Sequence, residues 1–248
     1  MADPTIPTDH APAERIEGPA GGVLLLCDHA SNHVPADIAL GVLPALLDLH
    51  IGYDIGAAAL TRGLAARLGA PAVLGTISRL VIDLHREPHH VGLVPALSDG
   101  HAIPGNAAAD RDARVTRFHI PYHAAIEQAV RHDRPDLVVA IHSFTQRLAS
   151  GGDERPWQVG ILYNQDARAA EPAIAALRAR GLVTGDNEPY SGRELNATLN
   201  RHAEAHGIPS MSVEVRNDLI ADDAGVVRWT EILAETIATV RTALSRQR

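Results

Sequence analysis

The chain has 248 residues, 46% of them hydrophobic and 21% charged, which suffices for one domain with a substantial core, predicted over residues 23–248. The formal net charge of −8 and the lack of a basic stretch or a long apolar run argue against nucleic acid and membrane partners. With one cysteine, Cys27, and no recognisable signal sequence, we expect no intramolecular disulfide and a cytoplasmic location.

The predicted elements begin after a Pro-, Ala- and Gly-rich stretch, residues 1–22, which we expect to be a flexible N-terminal arm. Residues 22–27 form a continuous apolar run, typical of a buried strand, that ends in the polar pair Asp28 and His29. Residues 55–68 are amphipathic and are followed by Gly69 and Pro71, which predicts a helix with a clear stop.

Two short β-prone runs follow at residues 72–74 and 80–82, and polar residues 83–86 come directly after the second. A helix is predicted over residues 110–132, and then an apolar strand over residues 136–141 that leads into His142. The later elements are predicted as a strand at 157–163, helices at 167–180 and 194–206, a strand at 211–215 and a helix at 229–245.

Strands that alternate with helices predict an α/β fold with a mostly parallel sheet. In such sheets, ligands bind beyond the carboxyl ends of the strands. His29, His142 and residues 83–86 follow predicted strands and are therefore expected at that edge.

A metal site is the chemistry that these histidines suggest. A catalytic zinc takes three protein ligands from His, Asp or Glu and keeps one position open. His29 and His142 supply two candidates, and the third is either Asp54 or Asn32. Asp54 is preferred because an anionic oxygen binds zinc more strongly than an amide, although Asp54 could instead cap the helix predicted to begin near residue 55.

Glu214 lies between Val213 and Val215 in a predicted strand, so its side chain points away from two apolar neighbours. A carboxylate is costly to bury unless it is paired or functional. Beside a metal it is the group needed as general base for water and then as general acid for a leaving amine. The alternative is an ion pair with Arg216 or Arg201.

Several motifs together resemble the N-formylglutamate amidohydrolases and, more distantly, the zinc carboxypeptidase and aspartoacylase superfamily. The resemblance covers about residues 23–219. Its motifs are CDHASNHVP at 27–35, SRLVIDLHR at 78–86, PYH at 121–123, IHSFT at 141–145, NEPYSG at 187–192 and VEVR at 213–216.

This resemblance implies a three-layer α/β sandwich of the phosphorylase/hydrolase-like kind with one zinc ion at the strand ends. It assigns His29 and His142 as metal ligands and Glu214 as the catalytic carboxylate. The related enzymes carry a carboxylate three residues after the first histidine, where this chain has Asn32. Asp54, which matches an acidic position of the amidohydrolases, is therefore the preferred third ligand, with Asn32 as the fallback.

The substrate implied is a small acidic N-acyl amino acid. The motif at residues 83–86 matches an Asp-Leu-Asn-Arg motif whose arginine binds a substrate carboxylate, so Arg86 is assigned that role and His85 replaces the asparagine. Arg79 and Arg201 are further candidate cations for an anionic ligand, with surface ion pairs as the alternative. Tyr190 and Ser191 read as a turn that, by resemblance, closes over the substrate.

Two other functions compete with a zinc amidohydrolase. One is a metallocarboxypeptidase or peptide amidase, and the other is an inactive metal- or ligand-binding relative, suggested by Asn32 and His85. A serine hydrolase is disfavoured because Ser143 lacks a Gly-x-Ser-x-Gly elbow, and Cys27 is simpler to interpret as core.

Overall fold

The computed structural model describes residues 11–246, and a seven-stranded sheet forms its centre. A separate two-stranded hairpin lies in the long loop that follows the third strand. The strands are β1 Ala13–Ile16, β2 Val23–Cys27, β3 Ala72–Gly75, β4 Leu97–Ser98, β5 His101–Ala102, β6 Leu137–Phe144, β7 Val159–Leu162, β8 Thr184–Asp186 and β9 Ser210–Arg216.

The strand order in the main sheet is β1-β3-β2-β6-β9-β7-β8. The four central strands β3, β2, β6 and β9 are parallel to one another, as the crossover helices require. β1 pairs antiparallel with β3 at one edge, and β7 pairs antiparallel with β9 near the other. The sheet is therefore mixed but mostly parallel.

Helices lie on both faces of this sheet. They are α1 Ala57–Leu68, α2 Arg111–Arg114, α3 Ile120–Asp133, α4 Ala170–Ala179, α5 Ala197–His202 and α6 Asp223–Ser245. A π-helical turn, Val115–His119, joins α2 to α3, so the chain is helical without a break from Arg111 to Asp133, close to the helix predicted over residues 110–132.

Two apolar clusters pack on opposite faces because side chains alternate along each strand. Val23, Leu25 and Cys27 of β2 face a cluster that includes residues of α1, α4 and α6. Leu24 and Leu26 face the other cluster, which includes residues of α3 and of the loop after β3. This three-layer α/β sandwich confirms the predicted fold class.

The predicted N-terminal arm is fixed to the sheet over part of its length. β1, within the predicted residues 1–22, pairs with β3 through four residues, and the Arg15 guanidinium donates to both carboxylate oxygens of the buried Asp133. The four-residue strand has too short an apolar pattern to be recognised from sequence. Residues 1–10 lie outside the described part of the chain.

The strand predicted at residues 80–82 is wrong. These apolar residues lie in a series of turns between β3 and the short 3₁₀ helix Val91–Leu93, although Leu80, Val81 and Ile82 are fully buried against the sheet. A short apolar run predicts burial without deciding between a strand and a buried turn. The polar residues 83–86 therefore reach the site from a packed loop.

Within residues 11–246, no helix combines the length and apolarity that crossing a bilayer would require.

Candidate active site

The central parallel strands deliver three polar side chains to one place. His29 follows the end of β2, while His142 and Glu214 lie near the ends of β6 and β9 and are directly paired across the two strands. Val213 and Val215 pack in the cluster on one face of the sheet, and Glu214 points away from both of them, as the sequence predicted. All three polar side chains are buried, with exposed fractions of 7% or less.

Asp54 reaches these histidines from a tight loop ahead of α1. Its backbone N–H donates to the carbonyl of His29, which ties the loop to the end of β2. Glycines are required on both sides, because a Cβ at Gly52 would collide with the Leu47 carbonyl and one at Gly56 with the Ile220 carbonyl. Gly56, with φ +80°, is also the N-cap of α1, so the alternative of Asp54 as helix cap is wrong.

The carboxylate of Asp54 lies between the two histidines. Its Oδ2 is 2.8 Å from His142 Nδ1 and 3.3 Å from His29 Nδ1. One ligand atom from each of the three residues lies within 4.8 Å of the other two, a group that could hold a metal ion. The structure thus brings together the three preferred ligands predicted from the sequence.

The far nitrogen of each histidine faces another buried carboxylate. His29 Nε2 is 2.7 Å from Asp83 Oδ1, and His142 Nε2 is 3.2 Å from Asp28 Oδ2. A carboxylate that contacts the outer nitrogen of a ligand imidazole fixes the tautomer of the ring and makes its other nitrogen a better donor to a metal. This arrangement leaves both Nδ1 atoms directed toward Asp54.

A second group with ligand atoms this close consists of Asp28, His85 and His142. Asp28 Oδ1 already accepts hydrogen bonds from Tyr122 (2.9 Å) and Thr198 (2.8 Å), and Asp28 is fully buried. Asp28 does not line the cavity described below, whereas the group formed by His29, Asp54 and His142 does. We therefore interpret Asp28 as a support for His142.

Arg79, predicted as a substrate-binding cation, bridges two carboxylates instead. Its guanidinium donates to Asp54 Oδ1 at 3.0 Å and to Asp83 Oδ2 at 3.1 Å. Arg79 also lines the cavity, but its hydrogen-bonding capacity toward a ligand is reduced by these two bonds. The bridge fixes the Asp54 carboxylate between the two histidines and the Asp83 carboxylate beside His29 Nε2.

The charges of this cluster stabilise one another. Burial opposes ionisation of Asp54, but His29, His142 and Arg79 outweigh it and lower the pKa of Asp54. Burial likewise favours neutral His142, yet Asp28, Asp54 and Glu214 raise the pKa of His142 well above its ordinary value. Asp54 is therefore held as a carboxylate, the form that a metal ligand must take.

Glu214 is the one carboxyl of the site whose pKa moves upward. Burial is the largest cause, and with the adjacent Asp54 charge it outweighs His142 and raises the pKa of Glu214 to about 7. Among the described residues, no salt bridge to Glu214 occurs, and its buried Oε2 has no hydrogen-bond partner. Glu214 therefore does not form the ion pairs considered from the sequence. Arg216 pairs with Asp218 at 2.7 Å, and Arg201 is exposed.

A cavity of about 150 Å³ opens beside Glu214. Four of the residues predicted to bind substrate contribute to its walls: Arg79, His85, Arg86 and Tyr190. Toward the described residues, the guanidinium of Arg86 makes only a long 3.5 Å approach from Nε to Asp83 Oδ2, which leaves its two terminal nitrogens for a ligand. His85 is instead held by Thr198 at 3.0 Å, with its Nδ1 3.2 Å from Asp28 Oδ2.

Three of the residues considered from the sequence lie outside this cavity. Asn32 is partly exposed and donates to Asp48 Oδ1 at 2.9 Å. Ser191 is partly buried beside Tyr190 but does not line the cavity, and Arg201 is exposed on α5. The geometry thus favours Asp54 over Asn32 as the third ligand.

Sequence reasoning missed His50 and Arg155. His50 lines the cavity and its Nε2 is 2.9 Å from Asp99 Oδ2. Arg155 donates to the Tyr190 hydroxyl at 2.9 Å and lies over the Tyr190 ring, 4.9 Å from its centre. Both come from irregular segments with no periodic pattern, so only an excess of histidines in the composition pointed toward His50.

The two nucleophiles that the sequence disfavoured are also unsuitable in the structure. The Ser143 hydroxyl donates to the Ile55 carbonyl at 2.8 Å, which occupies its proton. Cys27 is fully buried in the apolar cluster, and burial raises the pKa of its thiol well above the usual range. A thiolate nucleophile therefore does not form there.

The chain matches a known protein family and known structures. A family model described as N-formylglutamate amidohydrolase matches residues 21–221. The gene product Atu2144 from Agrobacterium tumefaciens is 30% identical, with a TM-score of 0.90 over 95% of this chain and 97% of that one. The N-formylglutamate amidohydrolase from Ralstonia eutropha JMP134 is 20% identical, with a TM-score of 0.68 over 96% of this chain and 100% of that one, a likeness of fold. No functionally curated protein matches the chain.

The family match and the α/β sandwich define this protein as an amidohydrolase, an enzyme that hydrolyses a C–N bond. The chain belongs to the N-formylglutamate amidohydrolase family, whose model matches it over residues 21–221. The resemblance stated from its sequence motifs is thereby confirmed.

Proposed function

We propose that this protein is a zinc-dependent amidohydrolase that cleaves the amide bond of a small acidic N-acyl amino acid of the N-formylglutamate type. The observation that carries the proposal is the group His29, Asp54 and His142, placed at the wall of a small cavity beside the unpaired carboxyl of Glu214. The products would be a carboxylic acid, formate in the case of a formyl group, and the free amino acid.

The donor set fits zinc. Two imidazole nitrogens and one carboxylate oxygen are ligands that catalytic zinc sites use, and the open side of the group faces the cavity. Asp83 is hydrogen-bonded to the outer nitrogen of His29, and Asp28 lies 3.2 Å from that of His142, as expected for ligands that are oriented in advance. Zinc held there would supply a Lewis acid that polarises the acyl carbonyl and acidifies water.

Glu214 would perform the proton transfers. With a pKa of about 7, its carboxylate is basic enough to take a proton from the attacking water and acidic enough to deliver it to the leaving nitrogen. Its Oε2 has no partner among the described residues, so no hydrogen bond must be broken before it acts. Water adds to the acyl carbonyl as one of its protons passes to Glu214, and the C–N bond then breaks as Glu214 returns that proton to the leaving nitrogen.

Arg86 would bind a carboxylate of the substrate. A guanidinium offers two parallel N–H donors that match the two oxygens of a carboxylate, and the terminal nitrogens of Arg86 are free of hydrogen bonds to the described residues. Because the protein as a whole carries a net charge of −8, an anionic ligand requires such a local cation. The preference for an acidic substrate follows from this residue.

The test is zinc content together with hydrolysis rates on N-formyl-glutamate, N-acetyl-aspartate and a short peptide. We expect one zinc per chain and the highest kcat/KM on N-formyl-glutamate. Preference for the peptide would favour the competing function, a peptide amidase, and stoichiometric zinc without turnover on any of the three would favour a metal-binding relative. A protein that is active after complete removal of metal would overturn the zinc assignment.

A further inference from the structure

Three buried histidines form a cluster that the proposed chemistry does not use. His119 ends the π-helical turn before α3, His123 lies four residues further on the same helical face, and His202 lies at the end of α5. Their exposed fractions are 1%, 2% and 3%. They do not line the cavity at Glu214. Buried imidazoles in such a position require hydrogen-bond partners.

Two of these partners are backbone carbonyls of the loop that carries the site. His119 Nε2–H donates to the carbonyl of Arg86 at 2.9 Å, and His123 Nε2–H donates to the carbonyl of Leu84 at 3.1 Å. The two carbonyls flank His85, which lines the cavity. A carbonyl oxygen only accepts, so each histidine must carry its proton on Nε2.

His202 completes the arrangement. Because His123 carries its proton on Nε2, its Nδ1 is an acceptor, and His202 Nε2–H donates to it at 2.8 Å. The rings of His123 and His202 stack, with centres 5.1 Å apart, and the rings of His119 and His123 have centres 4.1 Å apart. The cluster therefore has one hydrogen-bonding pattern, and both outward donors point at the same loop.

That loop has little other support from regular structure. Residues 83–86 belong to no strand or helix. Among the described residues, their backbone N–H groups make three bonds: Asp83 to the Leu93 carbonyl, Arg86 to the Asp83 carbonyl, and His85 to Asp83 Oδ1. Yet they provide the carboxylate that contacts His29 Nε2 and the guanidinium of Arg86. A shift of this loop would move the cation away from the carboxylate that it is placed to bind.

We propose that His119 and His123 are positioning residues that clamp the backbone on both sides of His85, and that His119 in particular sets the position of Arg86 for the substrate carboxylate. The inference rests on the proposed function for the identity of that carboxylate. The effect is transmitted through the Arg86 carbonyl, since neither histidine lines the cavity.

The test compares His119→Leu, which removes the donor, with His119→Gln, whose side-chain amide can donate from nearly the position of Nε2. Steady-state kinetics are measured on N-formyl-glutamate and on its two monoamides, of which one lacks the carboxylate that Arg86 binds. We expect His119→Leu to raise KM and to lower kcat/KM by about 10- to 100-fold on the substrates that keep that carboxylate, the range that misplacement of a binding group produces. His119→Gln should recover most of this loss.

The controls separate positioning from general damage. His132→Leu removes another histidine of α3, one whose side chain is 73% exposed, and should leave KM and kcat unchanged. In an Arg86→Ala background, His119→Leu should add almost nothing, because the residue that it positions is gone. An equal loss in His119→Leu on all substrates, or a full additional loss in the double variant, would overturn the proposal.

Crystal structures of the wild type and His119→Leu test the proposal without any measurement of turnover. A displaced Arg86 guanidinium in the variant supports the clamp, and an Arg86 that stays in place refutes it, even if wild-type protein hydrolyses none of these substrates. Absence of wild-type turnover would refute the proposed function alone.

Discussion

Glu214 is a carboxyl group held in the cavity with no partner among the described residues and a pKa raised by burial to about 7. We predict that Glu214→Gln keeps the fold and the zinc, because the amide is nearly isosteric and the carboxylate is not proposed as a ligand. General acid–base catalysis contributes about 10²–10⁴-fold, so kcat should fall by at least that range.

The measurements are kcat, KM and zinc content for the variant beside the wild type. The acidic limb of the pH profile of kcat/KM should shift or disappear, because below the pKa of Glu214 the base is protonated. A variant that loses its zinc would make Glu214 a ligand, and a near-normal kcat would remove it from the reaction.

Asp54 and Asn32 can be separated by metal binding. Asp54→Ala removes the oxygen that lies between His29 and His142, so we expect it to abolish stoichiometric zinc. Asn32→Ala removes a side chain that bonds to Asp48 at the surface and should retain zinc. Metal analysis after dialysis gives the answer, and the reverse pattern would reassign the third ligand to Asn32.

For Arg86, we predict that Arg86→Ala raises KM and lowers kcat/KM on the acidic substrate by about 2–4 kcal/mol of transition-state binding, as expected when a charge-assisted pair is lost. Arg86→Lys should recover only part of this, because an ammonium group cannot reproduce the two parallel donors. The check is steady-state kinetics on N-formyl-glutamate. Unchanged kinetics in the alanine variant would exclude Arg86 from substrate binding.

Individual site residues could be predicted from the sequence where they follow or interrupt an apolar run. His29 and His142 follow apolar runs, and Glu214 interrupts one, so each was visible in its own segment. The support of His142 by Asp28 and the bridging role of Arg79 depend on contacts between residues distant in the chain. Such contacts leave no periodic signal, so these roles became apparent only in the folded structure.

Among the strands, too, local patterns could be predicted from the sequence, whereas contacts between distant segments could not. The apolar runs that became β2 and β6 were recognised because parallel central strands are buried on both faces. The run at residues 80–82 is likewise apolar and fully buried, yet it forms turns. Composition therefore predicted burial in all three segments, whereas pairing with a neighbouring strand decided which of them are strands.

The histidine pair that joins α3 to α5 predicts a pH dependence of stability. Burial lowers the pKa of His123 to about 2 and that of His202 to about 4, against an ordinary value of about 6.5. At pH values between 6.5 and the pKa values of these two histidines in the folded protein, the unfolded chain binds more protons than the folded one. Stability from these groups is therefore present above pH 6.5 and is lost as the pH falls.

For a single histidine of this kind, acidification from pH 6.5 to pH 5 costs about 2 kcal/mol. The measurement is denaturant unfolding of wild type and His123→Gln at both pH values. We expect a smaller loss of stability in the variant, because its glutamine cannot take up that proton. Glu214 makes an opposing contribution to the pH dependence, but this contribution is the same in both proteins and cancels in the comparison. An identical pH dependence in both proteins would contradict the assignment.

At the scale of the whole molecule, the proposed zinc joins segments that are distant in sequence, since its ligands follow β2, precede α1 and end β6. Removal of zinc should therefore lower the stability of the entire fold. A ligand present at 100 times its Kd stabilises by about 2.7 kcal/mol, which corresponds to a Tm shift of about 5–10 °C for a chain of this size.

Calorimetry with and without a chelator measures this shift. The matched control is Asp54→Ala, which should melt at the same temperature under both conditions because it binds no metal. A chelator effect of equal size in that variant would show that the ion acts elsewhere on the protein.

The strand order has a consequence for how the enzyme assembles. β9, which carries Glu214, lies between β6 and β7, although it follows both of them in the chain. During synthesis, the segments that carry His29, Asp54 and His142 therefore emerge before the strand that fills the centre of the sheet. Such late, non-local pairing is slow, and it leaves β6 with an open edge until β9 inserts. In a nascent chain, the proposed metal ligands are therefore synthesised before the proposed general base, which takes its place only when the sheet closes, so we expect hydrolysis only from the complete fold.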